Sequence, residues 1–151
     1  MGSCIDLSDT NPQPPNGDGW AYNQLDSVYT ILDGADVTVR GSNTGSERRL
    51  VVEGNATATI TFENITIEGL ATGQSPLMIN SGADVTLNLL ENNTLKGGNS
   101  SAGIQITAAN ASLKISGTVY GPREVSPTNA GEYKVTATWK WRMCWQRRAW
   151  K

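Results

Sequence analysis

Four carboxylates, Asp33, Asp36, Asp84 and Glu91, are the acids of this chain best placed for chemistry. Hydrolysis of a polysaccharide asks for two carboxyl groups held roughly 5–10 Å apart. Asp36 and Asp84 each follow a Gly-Ala pair, so they occupy equivalent positions, but 48 residues separate them and Ala56 and Ser112 stand at the two further equivalents. Acids at such loop starts serve as solvated strand entries. Calcium takes six to eight oxygen ligands and these acids are too sparse to supply them. The chain has no histidine and no close cysteine pair, which removes the usual zinc sets and the commonest general base. Lys96 and Lys114, the bases a lyase would use, come without an acid cluster. The residues therefore point away from catalysis and call for no metal or cofactor.

Two other groups of side chains suit binding. Trp20, Tyr22 and Tyr29 are close in sequence and can either stack on a sugar ring or cap the end of a fold. Near the C-terminus Tyr133, Val135, Ala137, Trp139, Trp141, Met143 and Trp145 alternate with Lys134, Thr136, Thr138, Lys140, Arg142, Cys144 and Gln146, and Arg147, Arg148, Trp150 and Lys151 follow. Period-two alternation makes this a strand with an aromatic face and a cationic face. Trp139, Lys140, Trp141, Arg142, Trp145, Arg147, Arg148 and Trp150 are the candidate contacts to an anionic membrane, since Trp favours the interface and the cations favour anionic lipid. The alternatives are packing on the rest of the chain and self-association through an open strand edge. Nucleic acid rests on charge and stacking alone and ranks below these.

The elements that must position these residues are written in a repeat. Glu63-Asn64-Ile65-Thr66-Ile67-Glu68-Gly69 recurs as Glu91-Asn92-Asn93-Thr94-Leu95-Lys96-Gly97, with every identity 28 positions on. Gly54, Gly82 and Asn110 keep the same interval, as do Met78, Val85 and Leu87 with Ile106, Leu113 and Ile115. A fixed period of this length marks a stacked repeat architecture. Each copy holds three short alternations rich in Val, Ile, Thr and Leu, separated by Gly, Asn, Ser and Ala, which reads as three strands and three corners. The expectation is one coil of a parallel β-helix per copy, each burying its apolar face against the next. A sandwich of antiparallel hairpins is the alternative.

Strict 28-residue register sets Thr57, Thr59 and Thr61 opposite Val85, Leu87 and Leu89, whereas Ala58, Ile60 and Phe62 should be buried. An extra corner residue near Asn55 would repair this. Asn64 and Asn92, at matching corners 28 residues apart, suit an asparagine ladder inside the coil. Five Asn-x-Ser/Thr acceptor patterns, beginning at Asn55, Asn64, Asn92, Asn99 and Asn110, arise from the composition.

Gly19-Trp20-Ala21-Tyr22, Tyr29-Thr30-Ile31, Gly34-Ala35-Asp36-Val37-Thr38-Val39 and Leu50-Val51-Val52-Glu53-Gly54 carry a resemblance. The stretch from Gly17 to Val119 resembles the β-helical, carbohydrate-binding-type modules of secreted surface proteins from gut-type Gram-positive bacteria. The resemblance implies a solenoid, a secreted or wall-attached protein and a sugar ligand. Ser126 to Ala137 is similar to the closing strand of bacterial immunoglobulin-like modules, although the residues left are too few for a whole module. Parallel β-helices also host polygalacturonases and pectin lyases, but the aspartate-pair and Gly-His-Gly motifs of the former are missing here.

Of the 151 residues, 1–133 hold six Lys or Arg against all fourteen acids, whereas 134–151 hold six bases and no acid, an asymmetry hidden in the net charge of −2. There is no run of 18 apolar residues and no apolar leader, so the expectation is a mature secreted or cell-surface protein. Cys4 and Cys144 make no framework and read as free thiols unless the two ends meet. The expected division is an irregular lead-in over 1–19, parallel β-helix repeats over 20–120, and a C-terminal β segment with a Trp/Arg-rich tail over 121–151. The fold class is all-β, a short right-handed parallel β-helix with a C-terminal amphipathic β segment. The expected function is a non-catalytic, extracellular polysaccharide-binding or adhesin-type surface module. A membrane-active, antimicrobial-like protein using its tail is one alternative, and a polysaccharide lyase-like enzyme is the other.

Overall fold

Apolar and polar residues alternate through the strands, and the structure turns that alternation into an inward and an outward face. The computed structural model describes residues 3–44 and 48–116. They are all β, with no helix among the described residues. The strands in order are β1 (Ser3–Asp6), β2 (Asn16–Gly17), β3 (Trp20–Asn23), β4 (Val28–Ile31), β5 (Asp36–Arg40), β6 (Ser42–Asn43) and β7 (Arg49–Val52). They continue with β8 (Thr57–Glu63), β9 (Thr66–Ile67), β10 (Leu77–Ile79), β11 (Asp84–Leu90), β12 (Thr94–Leu95), β13 (Ile104–Ile106) and β14 (Ser112–Ser116).

Three sheets result, ordered β1-β5-β8-β11-β14, β13-β10-β7-β4-β3-β2 and β12-β9-β6. From β4 onward the chain visits the six-, five- and three-stranded sheets in turn, and each pass pairs in parallel with the one before. Among the described residues, antiparallel pairing occurs only where β3 meets β2 and β4. Parallel pairing across passes rules out a sandwich of hairpins, whose neighbours would run in opposite directions.

The inward residues form one core. Val37 and Val39 of β5, Ile60 and Phe62 of β8, and Val85 and Leu87 of β11 are fully buried, as are Leu50, Val52, Leu77 and Ile79 from the six-stranded sheet. Burying such a side chain contributes roughly 1.5–3 kcal/mol, so a stacked row of them holds each pass to the next. Corners are tight turns: the N–H groups of Ala35, Ala56, Ala83 and Ala111 donate to the carbonyls of Leu32, Glu53, Asn80 and Ala108. The third residue has positive φ in three of these, Gly34, Asn55 and Gly82, which Gly and Asn tolerate best.

Register departs from the strict period. Ala58 lies opposite Val85 and Ile60 opposite Leu87, an offset of 27 that keeps the apolar sets inward. The six-stranded sheet already carries that offset, with Leu50 opposite Leu77, so nothing changes near Asn55. The extra residue sits instead in the corner after β11, because Thr66 pairs with Thr94 at an offset of 28. That residue is Asn93. Its Oδ1 accepts from the N–H of Ile65 at 2.9 Å and its Nδ2 donates to the Leu90 carbonyl at 2.9 Å. Asn110 repeats the device at the next insertion, where its Oδ1 accepts from the Gly82 N–H at 3.1 Å. The expected Asn64–Asn92 ladder is not formed: Asn64 and Glu91 share the positive-φ corner, and both asparagines are exposed.

The segment expected as an irregular lead-in is instead built into the sheets. β1 pairs in parallel with β5, β2 borders β3, and Ile5 and Leu7 are buried. Arg48, itself buried, donates from Nε to the Leu7 carbonyl at 2.8 Å and ties this cap to the loop before β7. Cys4 is disulfide-bonded rather than a free thiol. Cys144 and the rest of the expected C-terminal β segment, 121–151, lie outside the described residues.

Candidate functional site

At the C-terminal ends of the five-stranded sheet, the strands of four successive passes bring polar residues into one line. Asp6 ends β1, Arg40 ends β5, Glu63 ends β8 and Glu91 follows β11. Asp6 is in register with Arg40, and the pairing of Val39 with Phe62 places Arg40 next to Glu63. With Ser8, Gly41 and Asn64 these residues line an open groove of about 320 Å³. It carries the exposed carboxylates of Asp6 and Glu91, the nearly buried one of Glu63, one guanidinium, a hydroxyl and a carboxamide.

Local structure holds the walls in place. The Ser8 N–H donates to Asp6 Oδ1 at 2.9 Å, and the Ser42 N–H donates to Ser8 Oγ at 3.0 Å, so β1 is bound to the turn after β5. Gly41 has φ of 88°, and a Cβ there would collide with Asp6 Oδ1 and Ser8. Glycine is needed because the two backbones approach so closely. Asn64 and Glu91 sit in the left-handed region at 56° and 64°, which turns their side chains away from the core at the corner. Such a line of donors and acceptors can hydrogen-bond hydroxyl groups along an extended ligand.

The aromatic candidates are brought together, but not as a surface. Trp20 and Tyr29 meet edge to face with centroids 5.5 Å apart, and Tyr22 lies 4.5 Å from Tyr29. Trp20, Tyr22 and Tyr29 are 8%, 7% and 1% exposed, so their faces are spent on one another and on the core rather than offered to a sugar. Burial, then the neighbouring Tyr22 and Asp9, push the Tyr29 phenol well above its ordinary range, while Arg48 acts in the opposite sense.

The acids singled out from sequence are scattered. Asp33 is exposed, and its Oδ1 accepts from the Thr57 N–H at 2.8 Å. Asp84 accepts from Ser112 Oγ at 2.8 Å. Asp36 lies opposite Thr59, which lies opposite Thr86, so Asp36 and Asp84 are out of line by two residues with β8 between them. Glu91 alone of the four reaches the groove. Among the described residues no group of three His, Cys, Asp or Glu is arranged to hold a metal ion. Lys96 and Lys114 are exposed and apart from the groove. Trp139, Lys140, Trp141, Arg142, Trp145, Arg147, Arg148 and Trp150 lie outside the described residues.

Sequence reasoning missed Asp6, Ser8, Arg40 and Glu63 as a group. Their spacings are 34 residues between Asp6 and Arg40 and 23 between Arg40 and Glu63, neither of them the 28-residue period. The one available signal was that Arg40 and Glu63 each close a strand pattern. Compared with family models, curated proteins and solved structures, the chain matches none.

Proposed function

We propose that the chain is a non-catalytic, extracellular module that binds polysaccharide or acts as an adhesin-type spacer, built on a short right-handed parallel β-helix. It would be of the kind carried by secreted surface proteins of Gram-positive gut bacteria. The observation that carries this reading is the groove of Asp6, Ser8, Arg40, Glu63, Asn64 and Glu91. It crosses four passes, so its hydrogen-bonding groups recur at the interstrand spacing of about 4.8 Å. An extended glycan presents hydroxyl groups at intervals along its length, and an open polar channel suits a chain better than an enclosed small molecule. The passage of the chain through three sheets in turn supports the β-helix, and its right hand follows the general rule for parallel crossovers.

A second reading places activity on the tail, supported by the six bases and no acid of residues 134–151. One experiment separates the two. The full chain, the chain ending at Thr138 and the full chain with Arg40→Ala are compared on a glycan array, with anionic liposomes as competitor. The groove reading expects binding that survives truncation, ignores liposomes and falls at least fivefold in Arg40→Ala. Binding that disappears with the tail and is competed by liposomes refutes it and makes the sheets a scaffold for the Trp/Arg segment.

A further inference from the structure

We propose that the outer face of the five-stranded sheet is the docking site of the chain's own C-terminal strand, held there by a Cys4–Cys144 disulfide and by its cationic row. Three observations on the described residues lead to this. The first is parity. Cys4 is in register with Thr38, and Thr38 precedes Val39, which pairs with Phe62, so Thr38 and Thr61 share a row. Ile5, Val37, Val39, Ile60 and Phe62 fill the core, so Cys4, Thr38, Thr61 and Glu63 point the other way, outward.

The second is burial. Thr38 is 0%, Thr61 2% and Glu63 6% exposed although all three belong to the outward face. The extensive contacts of β5 and β8 are with their hydrogen-bonded neighbours in the same sheet, which cover edges and not this face. The third is the disulfide at Cys4, in a chain whose one other cysteine is Cys144.

Chain length permits the docking. From β14 to β1 the face is four interstrand steps wide, about 19 Å. Twenty-seven residues separate Ser116 from Cys144, enough to span roughly 90 Å when extended. Charge complements it as well. Asp36 and Asp84, outside the groove, stand on the outward face with Lys114, whereas Lys134, Lys140 and Arg142 share the parity of Cys144. A disulfide from Cys144 to the outer face therefore turns that cationic row toward the carboxylates. Trp139, Trp141 and Trp145, of opposite parity, then point away from the sheet.

The test uses the full oxidised chain. Non-reducing peptide mapping should find the Cys4 and Cys144 peptides linked; free thiols or a Cys4–Cys4 linked dimer overturn the proposal. Amide hydrogen exchange over residues 134–146 should be at least tenfold slower in the oxidised chain than in the reduced one. It should return toward the reduced rate in Lys140→Glu/Arg142→Glu. An intact link with unprotected amides overturns docking, and protection that ignores the charge reversal overturns the orientation.

Discussion

Asn93→Ala tests the register of the structure at one side chain. Asn93 is the residue inserted after β11, and its carboxamide replaces the rung that the insertion breaks: Oδ1 accepts from the Ile65 N–H and Nδ2 donates to the Leu90 carbonyl. Ile65 is fully buried, so truncation leaves its N–H with neither a protein acceptor nor ready access to water. Orphaning a buried donor costs about 1–3 kcal/mol. With a urea slope of about 2 kcal/mol per molar, a loss of about 2 kcal/mol lowers the unfolding midpoint by about 1 M. The assay is urea unfolding of Asn93→Ala beside Asn92→Ala, with the slope checked for constancy. Asn92 is exposed and its truncation should cost under about 0.5 kcal/mol. Strict 28-residue spacing would assign the structural role to Asn92, the counterpart of Asn64. Equal midpoints for the two variants, or a larger loss in Asn92→Ala, would refute the 27-to-28 change of register.

Gly82→Ala and Gly34→Ala both force a side chain to positive φ, 78° and 83°, but only at Gly82 would the new Cβ meet Asn55 Oδ1. Thermal unfolding should show a loss of about 1 kcal/mol for Gly34→Ala and about 1 kcal/mol more for Gly82→Ala; equal losses would mean that the corner yields freely. Tyr29, whose phenol is raised above the ordinary 10.0 chiefly by burial, ionises more readily unfolded than folded. Its contribution is complete below pH 10 and is lost as pH climbs toward the folded value. Comparing urea midpoints of wild type and Tyr29→Phe from pH 8 to 11 should show a shallower alkaline decline in the variant, and parallel declines would contradict the burial.

Parity along each strand was legible in the sequence. That Val37, Val39, Ile60, Val85 and Leu87 face inward follows from alternation alone, since successive side chains point to opposite faces whatever the partner. So was the division of each copy into three strands with Gly and Asn at the corners, because positive φ is a local demand. The repeat itself argued for strands that recur in parallel, and the sheets formed by the repeated segments are parallel. The candidate site was not legible. Asp6, Arg40, Glu63 and Glu91 meet because four strands paired at particular offsets, and an offset is the sum of corner lengths and of pairing choices between distant segments.

The aromatic trio shows the same boundary. Trp20, Tyr22 and Tyr29 fit a platform or a cap equally well as residue types; the antiparallel return of β3 onto β4, with β2 alongside, determined that they are buried. Residues 3–19 read as loop because Pro and Gly dominate a local window, and only the open edge of β5 made a strand of Ser3–Asp6. By itself, then, the sequence determined which side of each strand is apolar and where the chain turns. Tertiary structure decided which rungs lie opposite one another, because a slip of one residue exchanges faces and only the packed core supplies the energy to forbid it.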